Sequence, residues 1–132
     1  MKKTKLRKVS KQSTSQWQNK CDALLTPIVI KRDPRCLLCS NPTQVAHHHV
    51  HKSKSSALRY YLDNLINLCH KCHQALHHNE SYYASRIVSL KGLDWFHDLE
   101  VKKNQLIKVD VIYYQNTYER LSKIPSVSNG LQ

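Results

Sequence analysis

The sequence predicts an α+β fold in which helices flank one short β-hairpin, and three observations carry that expectation. Trp17, Cys21, Leu24, Leu25 and Ile28 recur with the period of one helix face. Two short runs, at 44–49 and 65–68, read as strands separated by a loop rich in Lys and Ser. Three further helical patterns follow, around Tyr83, Ile87 and Leu90, around Trp95, Phe96 and Leu99, and around Val111, Tyr114, Tyr118 and Leu121.

Taken in chain order, residues 1–12 are polar and cationic with no apolar period, and they read as a disordered basic arm. The first helix should start near Ser13 or Ser15, either of which can serve as its cap. Pro27 lacks a backbone donor and should kink or split this helix; Asp33-Pro34 should end it, because a residue before proline avoids the α region. Ser40-Asn41-Pro42 reads as a turn, and 50–62 as a loop. A helix carrying His73 and His77 follows Cys72, and the next should run from about Ser81 to Gly92, a residue favoured just past a helix end. With 132 residues in all, 13–124 should form one domain, with C-terminal helices over 81–123 and a flexible tail over 125–132.

The chain carries a formal net charge of +12, and residues 1–35 hold ten Lys and Arg against Asp22 and Asp33. Such an excess favours a polyanionic partner, and nucleic acid is the expected one. The sequence has neither a run of 18 apolar residues nor a signal-peptide pattern, so we expect a soluble, cytoplasmic protein with no membrane partner. Five cysteines, four of them in two C-x2-C pairs, favour metal ligation over disulfides in a reducing compartment. Cys36, Cys39, Cys69 and Cys72 suit tetrahedral zinc as a closed, structural site. Cys21 is left over and reads as a buried helix residue.

Nine histidines lie between residues 47 and 97, more than structural zinc can use. His73 and His77 are i and i+4, so one helix face presents both imidazoles to a second metal ion. A neutral imidazole also suits a base for activating water near neutral pH.

The segment His47-His48-His49-Val50-His51, then Asp63-Asn64-Leu65, then Cys69-x2-Cys72-His73-x3-His77 resembles the signature of HNH endonucleases. The resemblance covers residues 36–78 and implies a zinc-bound ββα-metal, treble-clef-like motif flanked by helices. It also implies roles: His47, His73 and His77 as ligands of one catalytic divalent ion (Mg²⁺, Mn²⁺ or Zn²⁺), His48 as general base and Asn64 as the orienting asparagine. Ser53 meets the family's spacing from the histidine pair, which favours His47/His48 over the adjacent register His48/His49. His49 and His51 then read as packing or substrate-facing residues, His70 and His78 as solvent-facing, and His97 as core or surface.

The loop Lys52-Ser53-Lys54-Ser55-Ser56-Ala57-Leu58-Arg59-Tyr60 lacks the glycine pair common in HNH proteins. Its Leu-Arg-aromatic run followed by Asp63-Asn64, together with Lys20-Cys21-Asp22-Ala23-Leu24, is similar to phage recombination nucleases of the NinG (Rap) type. That similarity implies DNA, duplex or branched, as partner and a place in phage DNA recombination or processing. Lys52, Lys54 and Arg59 are then candidates for backbone phosphate contacts, Arg59 foremost because guanidinium grips phosphate bidentately. Lys2, Lys3, Lys5, Arg7 and Lys8 add nonspecific contacts from the arm. The rival readings are a noncatalytic zinc-knuckle DNA-binding module and an RNA-directed nuclease; the residues do not fix the oligomeric state.

Overall fold

The computed structural model describes the backbone of residues 2–127 and the side chains of 14–127. The first helix, α1 (Lys2–Arg32), is followed by β1 (Val45–His48) and β2 (Leu65–Leu68), then α2 (His70–His78), α3 (Glu80–Lys91), α4 (Leu93–Lys102) and α5 (Val111–Ser122). The class is α+β, with one two-stranded sheet among the described residues.

Helix α1 differs from its expected limits in two ways. It begins at Lys2, so the backbone of the segment read as a disordered arm continues the helix; that stretch contains neither glycine nor proline to interrupt it. It also runs through Pro27 instead of splitting there. The carbonyl that Pro27 leaves without a helical donor belongs to Ala23, on the solvent side, where water can satisfy it. The Asp33 N–H closes the last turn onto the Val29 carbonyl at 2.8 Å, and Pro34 allows no further turn.

The antiparallel register pairs Val45 with Leu68, His47 with Ile66 and His48 with Leu65. All four residues of β2 are buried, because helices cover both faces of this small hairpin. Leu65 joins Cys21, Leu25, Ile28, Val29, Tyr60, Tyr114 and Leu121 in a core between α1 and α5. Ile66 and Leu68 face the other way and pack with Cys36, Leu76 and Ile87 against α2 and α3. Cys21 is fully buried, its thiol donating to the Tyr114 carbonyl at 3.3 Å, as expected for a core residue. Tyr114 is buried, and Trp95 and Tyr118 pack against the two cores.

Gly92, at φ 99°, ends α3 and starts α4 in a conformation that side chains resist. The Val127 N–H reaches the Pro27 carbonyl at 3.2 Å, so this part of the expected flexible tail is tied to α1. Residues 128–132, the rest of that tail, lie outside the described residues.

Candidate metal centre and histidine-lined cleft

Two loops bring the four knuckle cysteines together. In the first, Ser40 adopts φ 66° while its N–H donates to the Cys36 carbonyl at 2.9 Å, turning the chain so that Cys39 comes back beside Cys36. In the second, Cys69 caps α2, its sulfur accepting the Cys72 N–H at 3.4 Å. That backbone donor is the main cause holding the Cys69 thiol down to about 7. Asn67 joins the two loops, its side chain donating to the Arg35 carbonyl at 2.6 Å and its own carbonyl accepting from Leu37 N–H at 2.9 Å.

The four sulfurs lie within 4.8 Å of one another and can hold a metal ion. Cys39 Sγ and Cys69 Sγ are 3.6 Å apart. A zinc tetrahedron with bonds of about 2.3 Å has edges of about 3.8 Å, so this spacing fits structural zinc.

A cleft of about 310 Å³ opens between α1 and the hairpin, with His47, His48, His51, Lys52, His73 and His77 among its lining residues. The His47 and His73 ring centroids are 5.2 Å apart, and those of His73 and His77 4.5 Å, so strand and helix bring these three histidines together. Burial pushes the His47 imidazole down to about 3, and it lowers His73 as well. Both therefore keep a free lone pair at neutral pH, which is what a metal ligand needs. Three imidazoles thus face one open cleft. Their spacing is looser than that of the cysteines, which are the metal-sized cluster among the described residues.

His48 is the last residue of β1, so its ring reaches the same cleft as that of its strand neighbour His47. Its Nε2 lies 2.9 Å from the Arg59 carbonyl oxygen. A carbonyl has no hydrogen, so Nε2 carries the proton and Nδ1 keeps its lone pair. Burial lowers the His48 pKa, which favours that neutral form. His49 turns elsewhere, its ring 4.8 Å from that of Trp95 in a separate hollow that Phe96 also lines.

Asn64 is fully buried at the start of β2. Its Oδ1 accepts the Val50 N–H at 2.8 Å, and its Nδ2 donates to the carbonyls of Val50 at 3.0 Å and Leu58 at 3.2 Å. The asparagine thus ties both ends of the 50–58 loop whose next residue holds His48.

The other candidate residues fall into place unevenly. Lys52 and Lys54 are exposed, Lys52 on the cleft wall. Arg59, expected to grip phosphate, is instead engaged by Asp22 of α1, through Nε to Oδ1 at 3.3 Å and Nη2 to Oδ2 at 2.8 Å. The fork that matches phosphate matches a carboxylate equally well, and the fold supplies the carboxylate. His51 donates to Glu80 at 2.9 Å; His70, His78 and His97 are exposed. The side chains of Lys2, Lys3, Lys5, Arg7 and Lys8 lie outside the described residues.

Asp22 and Thr26 also line the cleft and were missed as site residues from sequence. Their i, i+4 spacing, which puts both on one face of α1, was the available signal.

Fold and clusters together define a small α+β protein with a four-cysteine cluster able to hold a metal ion beside a histidine-lined cleft. The sequence matches the family described as Bacteriophage Lambda NinG protein over residues 1–124, and the chain belongs to that family. Membership in this phage family suggests a recombination-related role. Comparison with curated proteins and with solved structures gave no match. Among the described residues no helix is long and apolar enough to cross a membrane.

Proposed function

We propose that this protein is a metal-dependent endonuclease of the HNH type that hydrolyses DNA phosphodiester bonds at the histidine-lined cleft, in phage recombination or DNA processing. The observation that carries this reading is the 2.9 Å bond from His48 Nε2 to the Arg59 carbonyl, beside His47, His73 and His77. It leaves one oriented Nδ1 lone pair next to a cluster of three further imidazoles, an arrangement that a binding module does not need.

In this mechanism His48 Nδ1 takes a proton from a water molecule while the water oxygen bonds to phosphorus. The P–O bond to the departing sugar oxygen breaks with its electron pair going to that oxygen, which takes a proton from solvent water and leaves as an alcohol. His47, His73 and His77 would hold one divalent ion, which when bound stabilises charge on the phosphate and the departing oxygen. Asn64 keeps the loop, and with it the Arg59 carbonyl, in place behind His48. Lys52, exposed on the cleft wall, is free to meet a backbone phosphate.

The test is a panel of Mg²⁺, Mn²⁺ and Zn²⁺ against linear, nicked, branched and single-stranded DNA, with RNA of matching sequence, using the purified protein. The expected result is metal-dependent DNA cleavage. Tight DNA binding without cleavage under every metal would make the protein a binding module, and cleavage confined to RNA would overturn the substrate assignment.

A further inference from the structure

We propose that Asp22 is a positioning residue for His48, acting through Arg59, so that α1 is a working part of the catalytic apparatus; this rests on the endonuclease reading above. The bond that fixes the His48 tautomer ends on a carbonyl in the middle of the loop between the two strands. Such a carbonyl needs anchoring to hold one imidazole in one orientation, and the structure anchors its surroundings from three directions.

Three consecutive carbonyls each accept a hydrogen bond from a different part of the fold. Leu58 O accepts from Asn64 Nδ2 at 3.2 Å, Arg59 O from His48 Nε2 at 2.9 Å, and Tyr60 O from Arg120 Nη2 at 3.3 Å. The side chain of the middle residue is then clamped by Asp22, whose Oδ1 and Oδ2 both accept from the guanidinium, at 3.3 and 2.8 Å. Tyr60 strengthens the clamp by donating its hydroxyl to Asp22 Oδ1 at 2.7 Å, while its ring is buried in the α1/α5 core. The ion pair is partly withdrawn from solvent, with side-chain exposures of 18% for Arg59 and 32% for Asp22. A two-point planar fork of this kind restricts orientation as well as distance.

This arrangement also explains how a carboxylate is tolerated on the wall of a cleft meant for phosphate. With its charge matched by Arg59, Asp22 does not repel a polyanion as a lone carboxylate would. Its function is to fix the loop, and through the loop the imidazole.

The test compares cleavage kinetics of the zinc-loaded full chain carrying Asp22→Asn, Arg59→Lys, both changes together, or Asp98→Asn. Asp98 is a control carboxylate of similar setting, which accepts from Tyr61 and Lys102 away from the cleft. Asp22→Asn should lower kcat by about ten- to a hundredfold, the range for losing an outer partner that orients a site residue. KM for DNA and the metal concentration for half-maximal rate should stay at the wild-type values. Arg59→Lys should behave likewise, and the double variant should lose no more than the worse single one, because both break one link. Asp98→Asn should cut like wild type.

A wild-type kcat for Asp22→Asn, or losses that multiply in the double variant, would overturn the proposal. So would a shifted metal dependence, which would make Asp22 a ligand. Should Asp22→Asn fail to fold by circular dichroism and zinc content, Arg59→Lys alone carries the test by the same split of kcat from KM. A wild-type protein that cuts nothing refutes the endonuclease reading itself and is thereby distinguishable from failure of this inference.

Discussion

The side chain of Asn64 pairs with the backbone of Val50 through two reciprocal bonds, Val50 N–H to Oδ1 at 2.8 Å and Nδ2 to the Val50 carbonyl at 3.0 Å. The amide imitates a strand neighbour at the point where β1 has ended, and with its third bond it closes the loop onto Leu58. One residue thereby satisfies three backbone groups away from solvent.

Replacing Asn64 with Ala should therefore cost stability as well as activity. Each buried polar group left unpaired costs about 1–3 kcal/mol, so chemical denaturation should show a loss of several kcal/mol at unchanged m-value. Asn64→Asp, which keeps the acceptor for Val50 N–H but sets a carboxylate oxygen against the Val50 and Leu58 carbonyls in a buried site, should be destabilised at least as much as the Ala variant. A wild-type denaturation midpoint for the Ala variant would show that the loop holds without this amide.

Zinc is expected at one ion per chain on Cys36, Cys39, Cys69 and Cys72, whose sulfurs lie within 4.8 Å of one another. A structural site of this kind contributes roughly 10–16 kcal/mol of apparent free energy in small domains, comparable with a whole domain's stability. Chelation should therefore unfold the region around β1, β2 and α2 cooperatively, seen as loss of helical circular dichroism together with zinc release. Metal-free protein with an unchanged melting temperature would contradict the assignment.

Much of this was legible in the sequence, for local reasons. Leu65–Leu68 form the return strand as expected, because a short apolar run between an Asn-containing turn and a cysteine knuckle has few other uses. His73 and His77 share a face by helical arithmetic alone. The choice between His47/His48 and His48/His49 was not decided by alternation, since His48 ends its strand and the chain turns there; the structure puts His47 and His48 on one cleft and His49 against Trp95. The partner of Arg59 was hidden because Asp22 lies 37 residues away, and local pattern carries no information about a pair formed by tertiary packing. The passage of α1 through Pro27 was equally hidden, as it depends on which side of the helix the freed carbonyl faces.

The first eleven residues carry six basic side chains, Lys2, Lys3, Lys5, Arg7, Lys8 and Lys11. If they neutralise DNA phosphates, deleting 2–11 should weaken binding and flatten its dependence on salt. At about 0.9 per phosphate contacted, the slope of log K against log salt should fall by up to about 5, measured by fluorescence anisotropy over a salt series. An unchanged slope would make these residues bystanders to binding.

The central claim, that His48 is the base and that His47, His73 and His77 hold the ion, is tested most directly by plasmid cleavage across a Mg²⁺ and Mn²⁺ titration. His48→Ala should cut roughly 10²–10⁴ times more slowly at every metal concentration, because extra ion cannot replace a proton acceptor. His73→Ala should recover part of its rate at high metal, and His49→Ala should cut close to the wild-type rate. An inactive His49→Ala beside an active His48→Ala would place the base one residue later, and wild-type cleavage by all three would remove the nuclease site from this cleft.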